Sequence, residues 1–292
     1  MQNRFKLLSC FTALYLMVGV TVAHAHDAKT ITGLKMPESA IAAKDGRIFV
    51  SEIGEFGKDG DGQISVIGAD GKLQVFATGM NDPKGLAIIG KDLYVADKTR
   101  VLKVAPDGKW QVFADASAFP ATPQFLNDLE SDAKGNLYVS DSGDTKSGGA
   151  VYRINKAGKV TLITDGKKDA GVLAPNGLLM DGKGTLLEVD LASGMLYHID
   201  IATGKLTKIA EGFGGGDGIV RSKKGVLYVS DWANGKVFTV SKDGKVELLK
   251  DGFKSAADIN ITADGRYLMV PDMKAGELVM LCLLYTSDAA DE

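Results

Sequence analysis

The sequence predicts an all-β fold, a six-bladed β-propeller closed by an N-terminal strand, and three observations carry that prediction. An apolar run ending in an acid recurs six times: IFVSE (Ile48 to Glu52), LYVAD (Leu93 to Asp97), LYVSD (Leu137 to Asp141), LLEVD (Leu186 to Asp190), LYVSD (Leu227 to Asp231) and LMVPD (Leu268 to Asp272). The period is roughly forty residues, the spacing of propeller blades. Between the runs lie turn signals such as Asp243-Gly244-Lys245 and further alternating strands, with 36 Gly and only 7 Pro among 292 residues and no strongly periodic helix.

In chain order, the first segment is a leader. Arg4 and Lys6 precede the apolar run LLSCFTALYLMVGVTVA, and Ala23-His24-Ala25 is a small-x-small cleavage pattern, so residues 1–25 read as a secretory signal and His26 as the mature start. The product is expected in the periplasm or secreted, free of the membrane once cleaved, and monomeric. A net charge of -3 gives no reason to expect nucleic acid as partner.

Lys29 to Leu34 matches the outer-strand endings KIAEGF and LLKDGF. The sixth copy stops after GELVML and lacks its fourth strand, so the N-terminal segment is expected to pair with the strand around Glu277 to Leu281 and close the ring. The propeller is thus assigned to residues 26–281. Residues 282–292, CLLYTSDAADE, abandon the pattern and resemble a translated sequencing adapter, which sets them apart as an artefact. With Cys10 in the leader and Cys282 in that tail, no structural disulfide is expected.

One polar position repeats with the blades. Glu38, Asn127, Asn176 and Asp217 each stand eight residues before a turn glycine, Gly46, Gly135, Gly184 and Gly225. Opening the innermost strand of their blades, they would converge at one mouth of the central channel. Blade two offers Lys84 there, and blade six Ala257 followed by Asp258. Two carboxylates and two amide oxygens form a hard set that suits Ca²⁺ first, then Mg²⁺ or Mn²⁺, with Zn²⁺ behind them. The competing reading makes Asn-Gly and Asp-Gly ordinary turn dipeptides.

These residues, with Asn127-Asp128, Pro175-Asn176-Gly177 and Asp217-Gly218, resemble the family of senescence marker protein, gluconolactonase and luciferin-regenerating enzyme over essentially the whole mature chain. The resemblance implies one divalent metal held by Glu38, Asn176 and Asp217 with Asn127 beside it, and opening of lactones or related esters. It also implies that Asp217 is the base that activates water while the ion polarises the carbonyl. Sugar lactonases of the family carry Arg where this chain has Phe125, which widens the expected substrate to less polar lactones and esters bound by Asn127, Phe125 and Lys84. The alternative is a non-catalytic, NHL-like binding propeller.

Other features weigh less. Asp59-Gly60-Asp61-Gly62 lacks the EF-hand spacing and reads as a hairpin turn. Gly214-Gly215-Gly216 reads as close backbone approach before Asp217. Trp232 and Phe56 read as packing between blades in preference to a substrate mouth, and His198 as structural. Lys84 reads as a solvated rim residue unless it anchors a carboxylate.

Overall fold

The computed structural model describes residues 27–283. The leader over residues 1–25 and the tail from 284 onward lie outside the described residues. Six separate four-stranded antiparallel sheets account for the strands. Blade one comprises Pro37–Ala42, Ile48–Glu52, Gly62–Ile67 and Leu73–Met80, and blades two to five repeat this in-to-out order starting at Pro83, Leu126, Pro175 and Gly216. In blade six the order is Asn260–Ile261, Tyr267–Asp272, Glu277–Cys282 and then Asp27–Thr32.

The N-terminal strand therefore closes the ring, with Thr30 opposite Val279 and Thr32 opposite Glu277. The adjoining strand runs to Cys282, which faces Tyr267, one residue past the expected boundary. Ser39 bridges Asp258, so the innermost strands of blades one and six touch, and every other neighbouring pair of innermost strands is likewise in contact.

Burial follows from that geometry. Alternate side chains of each strand face the preceding and the following blade, so the core divides into six apolar layers, one per blade interface. A smaller cluster comprises Ile53, Ala257 and Met273. The eight-residue spacing has a backbone cause. Gly46, Gly135, Gly184 and Gly225 hold φ of +87°, +76°, +90° and +87°, turns that only glycine makes without strain.

His198 is remote from the channel mouth. Its Nε2 lies 2.6 Å from Asp181 Oδ2, and Asp181 also accepts from Arg221, a tie between blades four and five in keeping with a structural role.

Candidate metal centre and active site

In blades one to five the innermost strand begins with a bulge that displaces its first residues from the ladder. The pairing skips from Pro37 to Ala40, from Leu126 to Leu129, from Pro175 to Leu178 and from Gly216 to Ile219. Glu38, Asn127, Asn176 and Asp217 lie inside those gaps. A bulge re-aims a side chain that a regular strand would direct into the blade. All four residues line one cavity of about 490 Å³.

The glycines after them are not turn residues. Gly177 and Gly218 lie within strands, and a Cβ on Gly177 would sit 2.1 Å from the Asp217 carbonyl oxygen, while one on Gly218 would sit 2.4 Å from the Ile259 nitrogen. Gly85 would likewise meet the Asp128 Cα at 2.5 Å. Neighbouring inner strands approach too closely around the channel for any side chain at these positions, which overturns the turn-dipeptide reading.

The four mouth residues share unspent hydrogen-bonding capacity. Among the described residues, seven buried side-chain atoms have no partner, and three of them are Glu38 Oε2, Asn127 Oδ1 and Asp217 Oδ1. The amides are oriented by their surroundings. Ser142 donates its hydroxyl proton to the Pro175 carbonyl at 2.8 Å, so it can only accept from Asn127, whose Nδ2 faces it at 3.0 Å and whose Oδ1 is turned away. Asn176 donates Nδ2 to the Gly216 carbonyl at 3.3 Å, which leaves its oxygen free in the same way.

Electrostatics agree. Burial holds the Glu38 carboxyl well above its usual range, with Asp217 and Asp258 adding to the effect and Lys84 opposing it. Asp217 is raised by burial first, then by Asp258 and Asp231. Two buried carboxyls without compensating donors are a costly arrangement that a cation relieves. The residues therefore fit a hard divalent ion, with Glu38, Asp217, Asn176 and Asn127 as oxygen donors. Among the described residues no three His, Cys, Asp or Glu side chains are grouped to hold one alone, so the amides must contribute.

Lys84 departs from the rim expectation. It is only 1% exposed and lines the cavity. Its Nζ sits 4.1 Å above the Phe125 ring centroid and donates to the Asp82 carbonyl at 3.1 Å. Burial pulls its pKa down while Glu38, Asp82 and Asp97 push it back up. The π face and the carboxylates stabilise a charge that has lost its water.

The cavity wall is largely apolar. Phe56 and Trp232 line it together with Phe125; Phe56 departs from the packing reading, whereas Trp232 also packs between blades against Ile53, Ala257 and Met273. Ile53, Leu191 and Met273 also line it and went unrecognised, although a signal was present. Ile53, Leu191, Trp232 and Met273 each directly follow the acid that ends a repeat, so one sequence offset encodes an outer ring above the polar floor.

The comparisons with known proteins agree with this architecture. Residues 85–249 match the family model described as the SMP-30/Gluconolactonase/LRE-like region. None of the curated proteins matches the chain. Among solved structures, a gluconolactonase from Xanthomonas campestris superposes with a TM-score of 0.71 at 15% identity, covering 90% of this chain and 93% of its own. A calcium-binding protein, regucalcin, from Agrobacterium tumefaciens gives 0.67 at 19% identity over 86% and 91%. Virginiamycin B lyase from Staphylococcus aureus gives 0.62 at 14% identity over 88% and 99%. At these identities the likeness shows the fold alone, and the lyase illustrates that one propeller carries different chemistries.

Proposed function

The chain belongs to the SMP-30/gluconolactonase/LRE-like family, and on that premise we propose that it is an exported, divalent-metal-dependent hydrolase of lactones or small esters. The observation that carries this reading is the set of partnerless oxygens on Glu38, Asn127 and Asp217 on the polar side of one cavity. Glu38, Asn176, Asp217 and Asn127 would hold the cation, calcium before magnesium, manganese or zinc. When bound, the cation supplies Lewis-acid polarisation of the substrate carbonyl.

The remaining work falls to the side chains. Asp217 takes the proton that water loses as its oxygen bonds to the carbonyl carbon. The acyl C–O bond then breaks, and the same proton passes to the departing alkoxide, so a lactone opens to a hydroxy acid. Burial raises the basicity of Asp217, which suits that role. Lys84 adds a fixed positive charge beside the site, where a carbonyl oxygen that gains negative charge is stabilised. Phe56, Phe125 and Trp232 exclude water and accept an apolar substrate body. A sugar lactone would leave its hydroxyls unpaired against them, which favours alkyl or aryl lactones and esters.

The test is a panel of alkyl, aryl and sugar lactones and esters, assayed with calcium and with chelator. Turnover of the less polar compounds that chelator abolishes and calcium restores is expected. No turnover of any compound with any of the four ions would overturn the hydrolase and favour a binding propeller.

A further inference from the structure

The six blades are an internal alignment, and blade four breaks it twice at adjacent positions. Two residues before the terminal acid, five blades carry valine: Val50, Val95, Val139, Val229 and Val270, all fully buried. Blade four carries Glu188, equally enclosed at 1% exposure, with Oε1 lacking any partner. One position later, blades one, three and five carry Ser51, Ser140 and Ser230. Each of these hydroxyls accepts the backbone N–H that follows the mouth residue: Ser39 at 3.0 Å, Asp128 at 2.9 Å and Gly218 at 2.8 Å. The serine thus pins the bulge that presents the mouth residue. Blade four has Val189 there and lacks that hydroxyl.

Glu188 reaches the same bulge from the neighbouring position. It lies across the ladder from Leu178, at the edge of the gap that contains Asn176 and Gly177, and the Asn176 backbone N–H lies near enough to its carboxyl to offset part of the effect of burial. We propose that Glu188 is a positioning residue that replaces the missing serine and fixes the backbone of Asn176, so that the Asn176 amide oxygen is held at the cation site. A buried carboxyl with one oxygen unpartnered is poorer for stability than valine, so its presence in the one metal-ligand blade that lacks the serine is explained by the site and not by the fold. The inference rests on the metal-binding reading of the cavity.

The test compares wild type with Glu188→Val, Glu188→Gln and the double variant Glu188→Val/Val189→Ser, which restores the serine pattern of blades one, three and five. Glu188→Val is expected to melt a few degrees higher than wild type in chelator yet bind calcium about 10–100-fold more weakly by titration calorimetry. Glu188→Gln keeps an acceptor for the Asn176 N–H and should stay close to wild type, and the added serine should recover most of the affinity. Hydrogen exchange at the Asn176 amide should accelerate in Glu188→Val, and in the double variant new protection should appear at the Gly177 amide, the equivalent of Ser39, Asp128 and Gly218. Unchanged calcium affinity together with unchanged Asn176 exchange in Glu188→Val would overturn the proposal. If wild type binds no divalent ion, the metal reading fails separately, and the exchange experiment alone decides whether Glu188 positions Asn176.

Discussion

Two sets of buried acids lie within the same blades, equally hidden from water but used differently. The acids that end each repeat are saturated. Asp141 accepts from the backbone N–H groups of Gln124, Phe125 and Gly143. Asp190 accepts from those of Leu173, Ala174, Ala192 and Ser193. Asp231 accepts from Gly215 and from both the backbone and the side chain of Asn234. Asp97 binds the N–H groups of Asn81 and Asp82, and Asp272 those of Lys254 and Ser255. Each clamps the loop that leads into its own innermost strand. The mouth acids Glu38 and Asp217 have the same burial and no such donors. Burial of an acid therefore does not separate these two sets, whereas the presence or absence of hydrogen-bond partners does.

The sharpest way to break that contrast is to remove one acid from each set. Asp231→Ala strands three donors and should destabilise the protein by about 3 kcal/mol or more, read by urea denaturation. Asp217→Asn removes a charge that nothing in the protein compensates, so in chelator it should melt no lower than wild type while turnover falls about 10²–10⁴-fold. Similar stability losses in both would erase the distinction.

A smaller effect is expected with pH. Burial pushes Asp258 up to about 7, with Ser39 pulling it down and Glu130 adding to the rise. Burial likewise pushes Glu130 up to about 7 against the N–H groups of Ser131 and Met180. Both folded-state values lie above the unfolded ones, so the folded state binds more protons. Stability in chelator should then be highest below about pH 4 for these groups and fall as pH rises toward 7. Asp258→Asn with Glu130→Gln should flatten that fall, measured by thermal melts from pH 4 to 8. A slope unchanged by the pair would remove these buried acids from the contrast.

The smallest change is expected from Ser142→Ala. Without the hydroxyl that orients Asn127, the amide loses its fixed direction. Calcium affinity should drop several-fold with a stability loss of about 1 kcal/mol, both readable by titration and melting. A loss of stability alone would show that Ser142 supports the blade and not the Asn127 oxygen.

The repeat, the closing strand and the four mouth oxygens were legible because they recur. A period shared by hydrophobic run, turn glycine and polar residue reports one supersecondary unit copied six times, and identical addresses in identical units must converge on the axis. Lys84 was legible as a position but not as an environment. A lone lysine in a strand reads as solvated until the Phe125 ring, from the neighbouring blade, and the Asp82 carbonyl just before it are seen to enclose it. The terminal acids were legible as a pattern only, since most of their partners are backbone N–H groups, and those carry no residue identity.

By itself, then, the sequence determined the number of blades, the strand that closes them and the residue types at the channel mouth, because each depends on local periodicity that survives in one dimension. Only the tertiary structure decided which acids are satisfied and which are left with a free oxygen. It also decided which way the Asn127 and Asn176 amides point, and that Glu188 stands behind Asn176 where the other blades place valine. Those outcomes depend on whether a donor from a neighbouring loop or blade arrives within about 3 Å, a distance set by packing among segments far apart in the chain.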